Sequence, residues 1–262
     1  MVGRRYCIDA VGEWIAGPPT GDSMRIAVIS DIHAAAGPFR EALAAARRTG
    51  FDQLLLLGDL LTYGVHPDET LDLACDAVTR DGAVLVRGNH DQIYLDRATR
   101  RSGYEATIPE WIRESVEWTW ARIGGGDRIA RFDWLDDWSV DGLLMAHANP
   151  YQPGDWSYLR APEDLIAACS RLADRGLRAG LFGHTHRFAT QESHGSSVTT
   201  LGSVGQPRDA GHTSEWSLVD WTKGKMALQR HRVAVEWGTI IRAVRATGLS
   251  DKTKDRICGY IS

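Results

Sequence analysis

The chain has 262 residues, 43% of them hydrophobic and 24% charged, with a formal net charge of −4. That length holds an ample buried core, as one large α/β domain or two small ones, and the composition is that of a soluble globular protein. The acidic balance leaves no basic footprint for nucleic acid, and no apolar run approaches the ~18 residues needed to span a membrane.

Residues 1–23 stand apart. Arg4-Arg5 imitates the start of a signal peptide, but Asp9 and Glu13 interrupt any apolar stretch behind it. Gly17-Pro18-Pro19-Thr20-Gly21 is a loop signal. The segment reads as a poorly ordered extension, and residues 24–262 as a single domain. The four cysteines, Cys7, Cys75, Cys169 and Cys258, are scattered without a C-x-x-C. They read as reduced thiols of a cytoplasmic protein, with Cys75 and Cys169 on apolar helix faces.

From residue 25 the pattern is regular. A β-branched run at 25–29 stops at Ser30-Asp31-Ile32-His33, and Pro38 opens an Ala-rich amphipathic helix over 39–48. A second apolar strand at 53–57 stops at Gly58-Asp59. A helix over 67–80 follows, its first turn carrying Asp68 and Glu69, which suit the helix dipole. A third strand, 83–86, ends at Gly88-Asn89-His90-Asp91, read as a sharp turn that Gly88 permits. Three strand-to-helix units in a row predict parallel pairing in an α/β layer fold, with polar clusters beyond the carboxyl ends of the strands.

Residues 104–138 are Trp-rich (Trp111, Trp118, Trp120, Trp134, Trp138), with a helix over 109–123 closed by Gly124-Gly125-Gly126. These rings are expected to pack a helix on the core, a rim over a cleft being the lesser reading. The alternation then resumes: strand 142–146 ending at His147, helix 162–175, and strand 179–182 ending at Gly183-His184-Thr185-His186. Shorter antiparallel strands at 197–201, 216–220 and 226–233 are expected to build a second sheet on the first. Terminal helices follow at 237–248 and 251–258, filling the C-terminal segment 238–262.

Nine histidines occur, and His33, His90, His147, His184 and His186 all fall at or just beyond strand ends. Asp31, Asp59 and Asn89 hold equivalent places. One histidine there is usually a structural hydrogen-bonding group; five, with two carboxylates and an amide, indicate a metal site. Mixed imidazole and carboxylate ligands suit Mn, Fe, Zn, Ni or Co better than Ca or Mg. The ligands are too many for one tetrahedral ion, and two ions sharing a bridge fit the count.

Asp31-x-His33, Gly58-Asp59, Gly88-Asn89-His90-Asp91, His147 and Gly183-His184-Thr185-His186 together resemble, in order and spacing, the five motifs of the calcineurin-like metallophosphoesterases. The resemblance covers about residues 24–240. Single motifs are weak; all five in order are specific. Gly58-Asp59-Leu60-Leu61-Thr62-Tyr63-Gly64-Val65-His66-Pro67 and Gly202-Ser203-Val204-Gly205-Gln206-Pro207-Arg208-Asp209 further resemble the small bacterial and archaeal phosphodiesterase and phosphatase branch.

The resemblance implies two packed mixed β-sheets flanked by helices, a four-layer αββα sandwich. It implies two divalent transition-metal ions, manganese foremost. Asp31, His33 and His186 would hold one ion, Asn89, His147 and His184 the other, and Asp59 would bridge. A bridging hydroxide would attack phosphorus in line, hydrolysing a phosphodiester or phosphomonoester. His90 would contact the scissile phosphate and protonate the leaving oxygen, with Asp91 orienting His90. Two positions depart from the family pattern: Ala148 follows His147, where Gly is common, and Thr200-Leu201 stands where Asn-Pro is common. Neither removes a ligand.

Arg208 is a candidate phosphate contact, a salt bridge to Asp209 being the competing reading. His66 and His212 read as loop residues. The expected partner is a small phosphoester, a nucleotide or another monoester or diester, with a homo-oligomer allowed and no membrane. A nuclease and a non-catalytic scaffold of the same fold are the alternatives. No G-x-S-x-G elbow and no nucleotide P-loop occur.

Overall fold

The computed structural model describes residues 23–101 and 103–262. The extension expected over residues 1–23 therefore lies outside the described residues, except Ser23, which already belongs to the first strand. The elements follow the alternation of the sequence: β1 (Ser23–Ile29), α1 (Ala36–Thr49), β2 (Gln53–Leu56), α2 (Pro67–Asp81), β3 (Val84–Val86) and α3 (Asn89–Ala98). The Trp-rich stretch gives α4 (Glu110–Arg122), the short α5 (Asp127–Ala130), β4 (Trp134–Leu135) and β5 (Asp137–Val140). Then come β6 (Leu143–Ala146), α6 (Pro162–Asp174), β7 (Ala179–Phe182), β8 (Ala189–Ser193), β9 (Ser196–Thr200), β10 (Glu215–Thr222), β11 (Lys225–Arg232), α7 (Trp237–Arg245) and α8 (Asp251–Cys258).

Two mixed sheets result, ordered β11-β10-β1-β2-β3-β4 and β5-β6-β7-β9-β8. The period of two in a strand explains the layering. Ala27, Ile29, Leu54 and Leu56 point to the helices α1 and α2, meeting Phe39, Leu43, Leu71 and Ala74. Their neighbours Ile26, Val28, Leu55 and Leu57 point the other way, onto Leu143, Met145, Ala179 and Leu181 of the second sheet. The far face of that sheet takes Leu165, Ala168, Cys169 and Leu172 of α6, spaced to form one helix stripe. Helix, sheet, sheet, helix is thus the order of the layers, and strands covered on both faces read as unbroken apolar runs.

The late strands do not all form the second sheet, as the sequence suggested. β9 joins it, parallel to β7, but β10 and β11 extend the first sheet as a hairpin antiparallel to β1. β10 carries large apolar residues on both faces, Trp216 and Leu218 against the helices and Val219 and Trp221 against the other sheet. Such a strand is stable only between two layers. β8 fell between the expected elements because its exposure alternates, with few apolar residues to mark it.

The Trp residues divide among the cores. Trp120 and Trp134 pack beneath the first sheet's helices, Trp138 between the sheets, and Trp111 and Trp118 against α7 and α8 together with Tyr63 and Val65. The last contact brings the C-terminal helices beside the loop that follows β2. Among the described residues no helix is long and apolar enough to cross a membrane, and Cys169 and Cys258 carry free thiols.

Candidate metal centre

The carboxyl ends of β1, β2, β3, β6 and β7 deliver Asp31, His33, Asp59, Asn89, His147, His184 and His186 to one buried place. Asp31, His33, Asp59, His184 and His186 all have φ between 48° and 62°. Non-glycine residues held left-handed cost on the order of 1–3 kcal/mol each and gather where geometry serves a site. Cross-links hold them: His33 N–H donates to the Asp59 carbonyl at 2.8 Å and Asp31 N–H to that of Gly58 at 3.2 Å.

Two donor groups share one residue. Asp31, His33, Asp59 and His186 place ligand atoms all within 4.8 Å of one another, and so do Asp59, His147 and His184. Asp59 Oδ2 lies 3.6 Å from His33 Nε2 and 3.4 Å from His147 Nε2. Asn89 adds its amide oxygen, 3.2 Å from His147 Nε2, while its Nδ2 donates to Tyr104 Oη at 3.3 Å.

Backbone carbonyls set the imidazole tautomers. A carbonyl only accepts, so the nitrogen facing it must carry the proton. Nδ1 of His33, His147 and His186 donates to the carbonyls of Leu61, Leu57 and Gln206 at 3.1, 2.8 and 2.6 Å. Their Nε2 atoms therefore turn to the centre. His184 is inverted: Nε2 donates to the Trp156 carbonyl at 2.9 Å, leaving Nδ1 as its ligand atom. Such outer contacts are what orient metal-binding histidines.

Burial dominates the electrostatics. It holds His33 well below the usual imidazole range and His184 down at about 3. His186 is lowered by burial and then by the charge of Arg208. His147 goes the other way: burial works against its charge, but the adjoining Asp59 outweighs it and pushes the ring up to about 10. Burial would raise Asp31 and Asp59, yet the neighbouring histidines, His186 and His147 first, bring both well down. The carboxylates are thus ionised and most of the rings neutral, the states in which they ligate metal.

The donor set fits transition metals. His33 Nε2 and His186 Nε2 stand 3.1 Å apart, although each ring already carries its proton on Nδ1. Two lone pairs at that distance call for a cation. Ligands bound at about 2.1 Å lie about 3.0–3.4 Å apart along the edges of an octahedron or tetrahedron, close to the separations of 3.1–3.6 Å seen here.

Gly88 and Asp91 have other tasks than expected. Gly88 is extended (φ −95°, ψ 175°) and precedes α3, so Asn89, His90 and Asp91 form a helix's first turn rather than a sharp bend. What requires glycine is contact: a Cβ there would strike Asp59 Oδ1 and lie 2.6 Å from the Asp59 amide nitrogen. Asp91, expected to orient His90, makes no hydrogen bond to it among the described residues. Its carboxylate accepts from the amides of Asp59 (2.7 Å), Leu60 (3.0 Å) and Gly88 (2.9 Å), pinning the end of β2 to the start of α3. Burial, then Asp59, pushes its carboxyl up to about 7.

The residue paired with His90 is Tyr63, whose hydroxyl lies 3.1 Å from His90 Nε2; His90 Nδ1 is buried with no hydrogen-bond partner. Burial holds His90 at about 4, so its ring is neutral at pH 7. Tyr63 stacks on Trp111, the rings 5.5 Å apart, and Trp111 meets Tyr260 at a 35° tilt with centroids 6.1 Å apart. Across the centre Tyr158 stacks on His184 at 4.0 Å. Tyr63, Trp156 and Tyr158 were missed from sequence; only the stretch from Gly58 to Pro67 pointed at Tyr63.

Arg208 makes no ion pair with Asp209 among the described residues. Its Nη2 donates to Gln206 Oε1 at 2.9 Å, and its guanidinium lies 4.7 Å from the Tyr260 ring. His212 donates from Nδ1 to the Tyr260 carbonyl, and His66 sits at the residue before α2 without a side-chain capping bond; neither enters a donor group.

This fold, with a buried His/Asp cluster at its strand ends, is that of the metallophosphoesterases, enzymes that hydrolyse phosphoesters. The chain matches the calcineurin-like phosphoesterase family over residues 24–188 and belongs to it. An uncharacterized protein of Methanocaldococcus jannaschii is 25% identical over 227 residues, covering 78% of this chain and 86% of that protein. Among solved structures, a metallophosphoesterase from Sphaerobacter thermophilus has a TM-score of 0.69 at 20% identity, over 91% of this chain and all (100%) of that one. A hypothetical protein from Pyrococcus horikoshii has a TM-score of 0.75 at 16% identity, over 89% and 97%.

Proposed function

We propose that the protein hydrolyses small phosphomonoesters or phosphodiesters at a centre of two divalent transition-metal ions. Asp31, His33 and His186 would hold one ion, Asn89, His147 and His184 the other, with Asp59 shared. The observation that carries this is the position of Asp59 Oδ2 between His33 Nε2 and His147 Nε2, at 3.6 and 3.4 Å. Manganese is the ion to test first, since mixed imidazole and carboxylate donors accept Mn, Fe, Zn, Ni or Co alike. When bound, such a pair acidifies a water, polarises the phosphoryl oxygens and offsets developing negative charge.

The side chains supply the rest. His90 adjoins the centre with a neutral ring and one unpaired nitrogen, so it is the group that donates to the phosphate or leaving oxygen. Tyr63 holds the other nitrogen, and with its hydroxyl donating to Nε2 the His90 proton would sit on Nδ1. Arg208 offers a guanidinium fork to a phosphoryl group of the substrate. Asp91 keeps Asp59 and the start of α3 in register. Free thiols at Cys169 and Cys258 support a reducing, cytoplasmic compartment. The acidic chain supports a small-molecule substrate over nucleic acid.

The test is turnover of p-nitrophenyl phosphate and bis-p-nitrophenyl phosphate with manganese. Asp59→Asn should lose bound metal and turnover together, and His90→Ala should lose about a hundredfold in kcat while keeping metal. A metal-replete protein inert on a broad phosphoester panel would sink the proposal.

A further inference from the structure

Beside His186 the surface opens into a cleft of about 640 Å³ lined by Arg187, Phe188, Arg208, Asp209, His212 and Arg230. It is a ligand-sized space, and it adjoins the donor cluster: Arg187 follows His186 directly and Arg208 N–H donates to the His186 carbonyl at 3.2 Å. Its lining is basic, with three arginines, Arg187, Arg208 and Arg230, against one carboxylate, Asp209. Arg230 is already matched, its Nε and Nη2 on Glu215 Oε2 at 3.0 and 2.7 Å and its guanidinium 4.2 Å from the Phe188 ring.

Arg187 and Arg208 are held but not neutralised. Arg187 uses Nε on the Arg208 carbonyl at 2.9 Å, and its terminal nitrogens have no acceptor among the described residues. Arg208 is steadied by Gln206 and Tyr260, and its buried Nε has no hydrogen-bond partner. Asp209 does not take either charge; its Oδ1 accepts from Thr213 N–H at 2.8 Å. Two anchored forks with unused donors suit an oxyanion with several acceptor oxygens, which lowers the ordering cost of binding.

We infer that this cleft binds a second phosphoryl group of the substrate, so that the favoured substrates are bisphosphates with one phosphate at the metal centre and the other on Arg187 and Arg208. The inference rests on the phosphoesterase reading above and narrows it. Nucleotides and sugars both supply such compounds, and the chemistry shared by them is the second phosphate.

The experiment compares matched pairs on the manganese-loaded full chain: adenosine 5′-monophosphate with adenosine 3′,5′-bisphosphate, and fructose 6-phosphate with fructose 1,6-bisphosphate. Each is followed by phosphate release and by calorimetric binding. The bisphosphate of at least one pair should be favoured about tenfold or more in kcat/KM, and the pair that shows it identifies the source. Arg187→Gln should bring that ratio close to one, and Arg187→Lys should retain part of it; Arg187 is exposed, so both variants should fold, which a melting curve checks. Equal kcat/KM for monophosphate and bisphosphate in the wild type would overturn the inference, as would a preference that survives Arg187→Gln. Tight bisphosphate binding without turnover would sink the phosphoesterase reading and leave the cleft. A 5′-phosphorylated dinucleotide bound more tightly than either bisphosphate would overturn the assignment to small molecules.

Discussion

Replacing Gly88 by alanine separates two explanations of one glycine. If Gly88 served a bend, alanine would be tolerated, because φ −95° and ψ 175° are open to any residue. The structure instead puts Asp59 against it, with the Asp59 nitrogen 2.6 Å and Cγ 2.9 Å from where the Cβ would sit. Ordinary contact needs about 3.5–4.0 Å, so the two segments must part by about an ångström. Asp59 cannot yield freely: its amide is bound to Asp91, its carbonyl to the His33 amide, and its Oδ1 accepts from His90 N–H at 2.9 Å. Overpacking of this kind costs about 1–3 kcal/mol. An ångström of misplacement at a catalytic group costs on the order of a hundredfold in rate. The variant should therefore melt several degrees lower, bind manganese more weakly by calorimetry, and turn over p-nitrophenyl phosphate about a hundredfold more slowly. Unchanged melting and metal affinity in Gly88→Ala would refute the contact argument.

Tyr63→Phe removes the hydroxyl facing His90 and should lower kcat about tenfold, more for esters with poor leaving groups, at unchanged metal content; equal slowing across a leaving-group series would show that the hydroxyl does not act through His90. Metal loading at neutral pH should release a proton, because His147 sits at about 10 in the metal-free protein. Apparent affinity should thus rise with pH, up to about tenfold per unit, as measured by calorimetry in buffers of different ionisation enthalpy; a pH-independent affinity would contradict the Asp59–His147 pairing. Chelation should lower the melting temperature, since metal at a hundred times its Kd adds about 2.7 kcal/mol to the native state; identical melting curves with and without EDTA would argue that the donors hold nothing.

The layers were legible because apolar alternation and strand-end polar clusters follow directly from α/β geometry. The seven proposed ligand positions stand out in the sequence for the same reason, each lying just past an apolar run. The second sheet's membership was not, because only β10's two apolar faces, visible once partners are known, decide which sheet takes it. The tautomers were beyond sequence altogether. They are set by the carbonyls of Leu57, Leu61, Gln206 and Trp156, which any residue could supply. Asp91 is different: an acidic side chain three residues after Gly88 is a helix-start signal, and the adjacency of His90 drew the reading to the wrong partner.

Asp59 explains why these local features cannot be read one at a time. Through its two oxygens, its amide and its carbonyl it touches His33, His90, Asp91 and His147, residues that come from the ends of three separate strands, β1, β3 and β6. Its left-handed backbone (φ 54°) is tolerable only while those partners hold it. The residue shared by the two donor groups is therefore also the joint of the surrounding loops. For that reason Asp59→Asn alone cannot apportion lost activity between metal and scaffold. Gly88→Ala presses on the same residue from outside while keeping the identity of every donor side chain, so metal lost in that variant reports on the scaffold.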